Sequence, residues 1–218
     1  MNSEQFLQTK SACRFCRIGA RKGIAGHDQI VHESDDYFAI ASIGGFVEGW
    51  TLICPKSHIL NLSSEYKKPK FMAFAYEVDA LVARSYGRTV VFEHGVRAQG
   101  SLTGCGTDHA HLHLVPMRHD FVSHVISYDP KRSWEKTSIS EIEEYAAESE
   151  YLLMANSLLD LTENALLSQV EIPMSQFFRK ALASQLNLNA LSNYREHPLE
   201  KNAILTFEKI SNSKLAVA

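Results

Sequence analysis

Short apolar runs bounded by glycine or proline dominate the first half of the chain, and they predict β-strands. Residues 36–41 and 50–54 flank a glycine-rich turn, and Pro55 ends the second run. Residues 89–93 and 109–115 form a second pair of runs, joined by a loop that is again rich in glycine. The hydrophobic pattern therefore predicts four strands in two sequential pairs.

A helical pattern separates the two pairs of strands. Phe71, Phe74 and Val78 recur at the three- and four-residue spacing that places side chains on one face of a helix. Pro69 suits the first helical turn, and Gly87 ends the segment. We therefore expect one helix of about 18 residues that packs on the sheet.

The pattern weakens after the fourth strand, and residues 129–137 are polar and turn-like. Beyond them the chain shows two strand-like runs and one helical period, at 151–155, 165–170 and 174–186. We therefore predict a first domain at 1–128 and a smaller α+β extension at 129–218. The predicted fold class is α+β.

The composition is that of an ordinary globular protein, with 218 residues of which 45% are hydrophobic and 22% charged. The formal net charge of −3 argues against a general nucleic-acid coat or a membrane-surface protein, since both usually carry an excess of Lys and Arg. No apolar run has the length of a signal peptide core or the about 18 residues of a membrane span. We therefore expect a cytoplasmic protein with no membrane partner.

Three histidines alternate with small or apolar residues in the last of the four runs. In a strand, His109, His111 and His113 point to one face, and the residues between them point to the other. Three buried imidazoles side by side would each need a hydrogen-bond partner, which argues against a purely structural role. An imidazole can act as a nucleophile, carry a proton near neutral pH or bind a metal, and the triplet alone does not decide among these roles.

The triplet and a second motif together resemble the histidine triad superfamily. The signature of that family is His-φ-His-φ-His-φ-φ, where φ is apolar, and residues 109–115 fit it at every position. Upstream, residues 49–58 look like the family's strand followed by Pro-Lys-x-His, with His58 as the histidine. The resemblance covers residues 13–118 and implies a histidine triad-like antiparallel sheet with a packed helix, followed here by the smaller α+β extension.

The resemblance also implies hydrolysis or transfer at the α-phosphate of a nucleotide conjugate. His111 would attack phosphorus and form a nucleotidyl-histidine intermediate, and His113 would hydrogen-bond a phosphoryl oxygen. His109 completes the implied catalytic set. A neutral imidazole suits this chemistry because it attacks near neutral pH without losing a proton, and water can then resolve the labile N–P bond.

Several further positions are candidates for substrate binding. The resemblance places Ser42 where an aspartate usually meets the ribose hydroxyls, and Glu93 where an amide is usual. Glu93 beside a phosphate would be repulsive unless it is protonated, metal-bound or turned away, and the alternative is an exposed carboxylate at the end of a strand. The glycine-containing loop before the triplet would offer backbone N–H groups to an anion. The complete set is Ser42, Glu93, Gly104, Cys105, Gly106 and Arg179.

The spacing Cys13-x-x-Cys16 near the N-terminus indicates metal or redox chemistry in a reducing compartment. Some histidine triad proteins complete a tetrahedral zinc site with the histidine of Pro-Lys-x-His and the first histidine of the triplet, here His58 and His109. The resemblance thus implies a structural zinc ion, which leaves the other two histidines of the triplet for catalysis. The alternatives are unbound thiols and a thioredoxin-like redox pair, which lacks the strand that should precede Cys13.

The C-terminal region suggests a second function. Residues 172–182 and 193–196 resemble the tail that follows the histidine triad-like module in CwfJ-type proteins, which are linked to RNA lariat processing. Arg179 in this tail lies either over a phosphate or on a solvated helix face. The tail implies a non-catalytic module that binds a nucleotide or an RNA end.

A third hypothesis treats the triplet as ligands of a catalytic metal that activates water, with Asp108, Asp120 and His119 as the nearest additional ligands. This hypothesis leaves the Pro-Lys-x-His motif unexplained. Histidine triad proteins often form two-fold dimers, so a homodimer is a further expectation, although the C-terminal extension would cover part of that surface.

Overall fold

One antiparallel sheet runs through both halves of the chain. The computed structural model describes residues 12–104 and 106–215. The strands are β1 Ile30–Glu33, β2 Tyr37–Ala41, β3 Thr51–Pro55, β4 Thr89–Gly95, β5 Leu112–Pro116, β6 Glu135–Thr137, β7 Tyr151–Ala155 and β8 Ala165–Gln169. Their order in the sheet is β1-β2-β3-β5-β4-β7-β8-β6, and every neighbouring pair is antiparallel. The predicted α+β class with an antiparallel sheet is confirmed.

Helices cover both faces of this sheet. Their bounds are α1 Arg14–Gly19, α2 Pro69–Tyr86, α3 Phe121–Tyr128, α4 Ile142–Glu148, α5 Leu158–Glu163, α6 Phe177–Gln185 and α7 Glu200–Leu215. The helix predicted from the apolar spacing is confirmed as α2, which has 18 residues and ends before Gly87. In the part of the chain that the structure describes, no helix combines the length and the apolar character that crossing a membrane requires.

The alternation of side chains along the strands divides the core into two layers. On one face, α2 places Phe71 and Val78 in a cluster with Leu112 of β5. On the opposite face, α1 and α6 contribute Phe15 and Phe178 to a second cluster. Each fully buried apolar side chain of this size contributes about 1.5–3 kcal/mol to folding. The histidines of the triplet alternate with residues of the first layer, and His111 and His113 therefore face the second.

The C-terminal extension continues the sheet. β7 pairs with β4 from Val91↔Ala155 to Gly95↔Tyr151, and β8 and β6 follow outward. The two strand-like runs of this half are thus present as β7 and β8. The domain boundary after residue 128 stays a prediction. Strands from both sides of it belong to one hydrogen-bonded sheet.

Parts of the second half differ from the sequence pattern. Residues 129–137 are not a turn throughout, because β6 occupies the last three of them and depends on pairing with β8. The pattern also missed α3, α4, α5 and α7. In α7, Ala203 and Ile210 are buried whereas Ile204 and Leu205 are exposed, so its apolar positions do not form one stripe.

Candidate active site

The three histidines of the triplet lie at the entry to β5. The strand begins at Leu112, so only His113 lies inside it, and the prediction of a strand from residue 109 is wrong at that end. The ladder between β3 and β5 stops at Ile53↔Leu112. Pro55 follows in β3, and it has no N–H to donate to a longer ladder. Its carbonyl oxygen instead accepts a hydrogen bond of 2.8 Å from Nε2 of His109.

The backbone holds His111 in one tautomer. The Nδ1 of this ring lies 2.8 Å from the carbonyl oxygen of His109. A carbonyl oxygen can only accept, so Nδ1 carries the proton and Nε2 keeps its lone pair. Burial lowers the pKa of His111 to about 4, so the ring is neutral near pH 7.

Trp50 selects the opposite tautomer in His113. The indole Nε1–H lies 3.0 Å from Nδ1 of His113. An indole can only donate, so Nδ1 accepts and Nε2 carries the proton. The centroid of this ring lies 4.6 Å from that of His111, and burial lowers its pKa as well. The two adjacent rings thus offer one lone pair and one N–H donor.

Four side chains from three separate segments meet beside the triplet. Cys13, Cys16, His58 and His109 each place one ligand atom within 4.8 Å of the others. The Nδ1 of His109 lies 3.4 Å from Sγ of Cys13 and 3.5 Å from Sγ of Cys16. The Nδ1 of His58 lies 3.3 Å from Sγ of Cys16. Sulfur and nitrogen ligands of a tetrahedral zinc ion stand about 3.6 Å apart, so the cluster fits this metal in ligand type, number and spacing.

The surroundings of the cluster prepare His109 to bind a metal. Because its Nε2 donates to a backbone carbonyl, its Nδ1 holds the lone pair and faces the two sulfur atoms. Phe15, between the two cysteines, packs edge-on against His109 and His111 with centroid distances of 5.6 and 5.3 Å. The cluster and the proposed nucleophile therefore share one packing unit.

A cavity of about 60 Å³ lies beside His111 and His113. Other polar residues in its wall are Arg14, Ser42, His94, Thr107, Gln176, Arg179 and Tyr194. Pockets for drug-sized ligands usually measure about 300–1,000 Å³, and benzene occupies an engineered cavity of about 150 Å³. In this conformation the cavity admits a group much smaller than a nucleotide.

Comparison with known proteins matches the segment that carries the histidine triplet. Residues 25–120 match the family model of the HIT domain. This segment, residues 25–120, is called the HIT domain after the model that it matches. A comparison with curated proteins finds no match.

Solved structures similar to the chain have low identity. A HIT-like protein involved in cell-cycle regulation from Bartonella henselae is 18% identical with a TM-score of 0.39, over 49% of this chain and 80% of that one. A hypothetical histidine triad nucleotide-binding protein from Sulfolobus tokodaii is 23% identical with a TM-score of 0.37, over 50% and 71%. A zinc-bound histidine triad family protein from Mycobacterium smegmatis is 24% identical with a TM-score of 0.37, over 50% and 78%.

Within the HIT domain, some of the predicted substrate-binding residues line the cavity and others do not. Ser42 lines the cavity. Thr107 of the glycine-containing loop also lines it, whereas Gly104 and Gly106 are not among its lining residues. Cys105 lies outside the described residues. The structure thus brings one end of the predicted loop to the site.

Glu93 points away from the cavity, into the opposite core layer. Its carboxylate accepts hydrogen bonds from the hydroxyls of Tyr66 at 2.7 Å and Tyr151 at 2.9 Å, and from the N–H of Leu62 at 2.7 Å. Burial raises the pKa of Glu93 to about 7, although the three donors favour the ionised form. The expectations of a substrate contact and of an exposed strand end are therefore both wrong, because His94, the next residue of β4, takes the cavity face.

The two acids considered as ligands of a catalytic metal accept hydrogen bonds from backbone N–H groups. Asp108 accepts from the N–H of Gly100 at 2.9 Å, and Asp120 caps α3 by accepting from the N–H of Ser123 at 3.1 Å. Among the described residues, the metal-ligand cluster of cysteines and histidines includes neither acid, and His119 is not part of it. The geometry does not favour the catalytic-metal hypothesis.

One wall of the cavity of the HIT domain comes from the C-terminal extension. Gln176, Arg179 and Tyr194 contribute to it. Arg179 is only 6% exposed, and its Nη2 donates to the carbonyl oxygens of Gly44 and Leu191. The solvated alternative for Arg179 is therefore wrong, and its role toward a phosphate stays a proposal.

Two glycines of the HIT domain allow residues of the C-terminal extension to pack closely against it. Gly44 has φ +74°, and a Cβ atom there would lie 2.5 Å from Cβ of Tyr194. Its N–H donates to the carbonyl oxygen of Pro198. Gly106 has φ +80°, and a Cβ atom there would overlap the guanidinium of Arg195. Glycine is needed at both places because it adopts positive φ without strain and leaves the space empty.

Sequence reasoning missed several residues of the cavity wall, namely Arg14, His94, Gln176 and Tyr194. The sequence carried a signal for His94. Once β4 is paired with β5 so that Phe92 lies opposite His113, the same register directs His94 toward His111. Gln176 and Tyr194 lie in the two segments that resemble the CwfJ-type tail, but no local pattern placed them in the cavity, because only the tertiary fold brings them to the HIT domain.

Proposed function

We propose that this protein hydrolyses nucleotide conjugates, or transfers their nucleotidyl group, at the α-phosphate through His111. The HIT domain supports nucleotide binding or hydrolysis in general. The finer proposal depends on one observation, the complementary tautomers of His111 and His113 beside the cavity. One ring offers a lone pair for attack, and its neighbour offers a hydrogen bond to the group attacked.

In the first step, the Nε2 lone pair of His111 forms a bond to the α-phosphorus. The bond from phosphorus to the leaving group breaks, and its electron pair goes to the leaving group. The imidazole gains positive charge, which the carbonyl oxygen of His109 stabilises because it accepts the Nδ1–H. The Nε2–H of His113 donates to a non-bridging phosphoryl oxygen.

In the second step, an oxygen of water bonds to phosphorus and the N–P electron pair returns to Nε2 of His111. The water loses its proton to the leaving group or to solvent, which balances the reaction. A different nucleophile in place of water makes the same intermediate a transferase intermediate. Ser42 and Arg179 are the wall residues that we assign to the sugar and the phosphate.

We also propose that Cys13, Cys16, His58 and His109 hold a structural zinc ion. When bound, zinc would crosslink α1, the segment after β3 and the start of the triplet, and His109 would then have no catalytic role. Metal analysis of the purified protein should find about one zinc per chain, and Cys13→Ser and His58→Ala should each reduce it. Cys54→Ala is the matched control, because Cys54 is a buried core cysteine that is not one of the four proposed ligands. Zinc content unchanged in both ligand variants would remove this assignment.

The activity is tested with a panel of nucleotide phosphoramidates, dinucleoside polyphosphates and capped or branched RNA ends. The parent protein should turn over at least one of them, and His111→Ala should abolish that turnover. His119→Ala is the control, because His119 is exposed and does not line the cavity. Rapid alkaline quenching should capture an acid-labile phosphoryl group on the parent protein and none on His111→Ala. Turnover that survives in His111→Ala contradicts the proposal.

The narrow cavity favours one alternative, a module that binds a nucleotide or an RNA end without catalysis. Gly106 presents no side-chain group to a leaving group, and the extension reduces the space beside the histidines. Affinity for a member of the panel without turnover would support this alternative. The likeness of the tail to CwfJ-type proteins, the RNA-end ligand and the homodimer stay predictions.

A further inference from the structure

A third imidazole faces the cavity from β4. His94 lines the same cavity as His111 and His113, and its ring centroid lies 5.9 Å from that of His113. The ring of His94 also packs against Phe178 of α6 at a centroid distance of 5.0 Å. A side chain of the C-terminal extension thus packs against His94 where this residue lines the cavity.

The Nε2 of His94 is buried and has no hydrogen-bond partner among the described residues. A buried polar atom without a partner destabilises a fold, and most such atoms in proteins are paired. The neighbours of this ring are largely aromatic, and a phenylalanine would fill the same space without an unpartnered nitrogen. A ligand atom in the cavity would supply the missing partner.

We propose that His94 is a substrate-binding residue whose Nε2–H donates a hydrogen bond to a phosphoryl oxygen of the substrate. This inference rests on the proposed function of His111. The group attacked by His111 is then held by two imidazole donors, one from β5 and one from β4. Burial lowers the pKa of His94 to about 3, so the ring serves as a neutral donor near pH 7.

The informative variant is His94→Phe, which retains the ring and removes both nitrogen atoms. With an adenosine phosphoramidate as substrate, we expect kcat/KM to fall at least about tenfold, mostly in kcat if the hydrogen bond strengthens in the transition state. The melting temperature should stay unchanged or rise by about 2–4 °C, because the variant buries no unpartnered nitrogen. Lower activity together with equal or higher stability is the signature of a substrate contact.

Three comparisons complete the test. His94→Gln retains an N–H donor and should recover part of the lost kcat/KM, whereas His119→Phe, at an exposed position, should change nothing. Unchanged kcat/KM in His94→Phe overturns the proposal. A fall in activity accompanied by a lower melting temperature, without recovery in His94→Gln, also overturns it by showing a structural role.

Failure of this inference is distinguishable from failure of the proposed function. If His111→Ala abolishes turnover and His94→Phe does not reduce it, only the role of His94 is refuted. If the parent protein shows no turnover, the affinity for AMP is measured by calorimetry. His94→Phe should then bind AMP at least about tenfold more weakly, and equal affinity overturns the proposal.

Discussion

The Nδ1–H of His111 donates a hydrogen bond of 2.8 Å to the backbone carbonyl oxygen of His109. The side chain of the same His109 belongs to the Cys/His cluster. The orientation of the proposed nucleophile therefore depends on how firmly the cluster holds its neighbour two residues earlier.

Metal removal is the first test of this link. Treating the purified protein with a chelator should lower its melting temperature and reduce turnover by about 10- to 100-fold, the usual loss when groups that orient a site are disturbed. Adding zinc should restore both. The control variant Cys54→Ala should respond to the chelator in the same way. If the chelator changes neither the melting temperature nor the turnover of the parent protein, the link is contradicted.

Trp50→Phe tests the tautomer of His113. The substitution removes the indole N–H that keeps Nδ1 unprotonated, so the Nε2–H donor is no longer favoured, and kcat/KM should fall by about 10- to 100-fold. Nitrogen NMR should show the proton of His113 on Nε2 in the parent protein and a mixture in the variant. Trp134→Phe is the control, because this tryptophan packs on Phe177 and Phe178 and not on His113. An unchanged NMR tautomer in Trp50→Phe would show that the indole is not responsible.

Glu93→Gln should change the dependence of stability on pH. The pKa of Glu93 is about 7 in the folded protein against 4.5 for an ordinary glutamate. The folded state therefore binds more protons between these values, and its free energy of unfolding falls as pH rises through them. The full difference corresponds to about 3 kcal/mol, which a neutral glutamine does not lose.

Urea unfolding of both proteins at about pH 4.5 and pH 8 measures this difference. The buried histidines titrate in both proteins, so their contribution cancels in the comparison. Glu93→Gln should gain stability relative to the parent as pH rises. Equal slopes would show that the carboxyl group does not titrate in this range.

Gly44→Ala tests the docking of the C-terminal extension. The added Cβ would collide with Cβ of Tyr194, whereas at Gly100, with a similar φ of +77°, a Cβ would meet nothing within 4 Å. Both alanines suffer the same backbone strain, so the collision should make Gly44→Ala less stable than Gly100→Ala by about 1–3 kcal/mol.

The same pair of variants reports on access to the cavity. Tyr194 is part of the cavity wall, and a nucleotide is larger than the cavity of about 60 Å³, so we expect Tyr194 to move when a nucleotide enters. Weaker docking in Gly44→Ala should therefore speed AMP association, measured by stopped flow, relative to Gly100→Ala. Equal stability and equal association rates in the two variants would mean that Tyr194 is not held by this contact.

The sequence predicted the parts of the fold that have strong periodicity. The spacing of Phe71, Phe74 and Val78 predicted α2, and the alternation around His111 predicted one apolar and one histidine-bearing face. Both patterns depend only on local geometry, which the sequence contains. The meeting of Cys13 with His109 followed from a family resemblance, because no local pattern connects residues 96 positions apart.

The remaining parts of the site depend on tertiary pairing. Glu93 was assigned to the cavity because a strand pattern tells which residues share a face and does not tell which face meets the site. Arg179 and Tyr194 pack closely against Gly44, where a Cβ atom would collide with Tyr194. The need for glycine at this position is evident only from the packed extension and not from the local sequence. β6 has three residues and no periodicity, and it is a strand because β8 offers it an edge.

The pairing of β7 with β4 has a consequence for any shortened form of the protein. A fragment ending at residue 128 would leave the backbone N–H and C=O groups of β4 open along one side, and an open strand recruits other polypeptides and aggregates. The extension thus covers the edge of β4 in the HIT domain by pairing β7 with it. When the extension is in place, the edge strands of the sheet that the described residues form are β1 and β6, and another molecule would add a strand there.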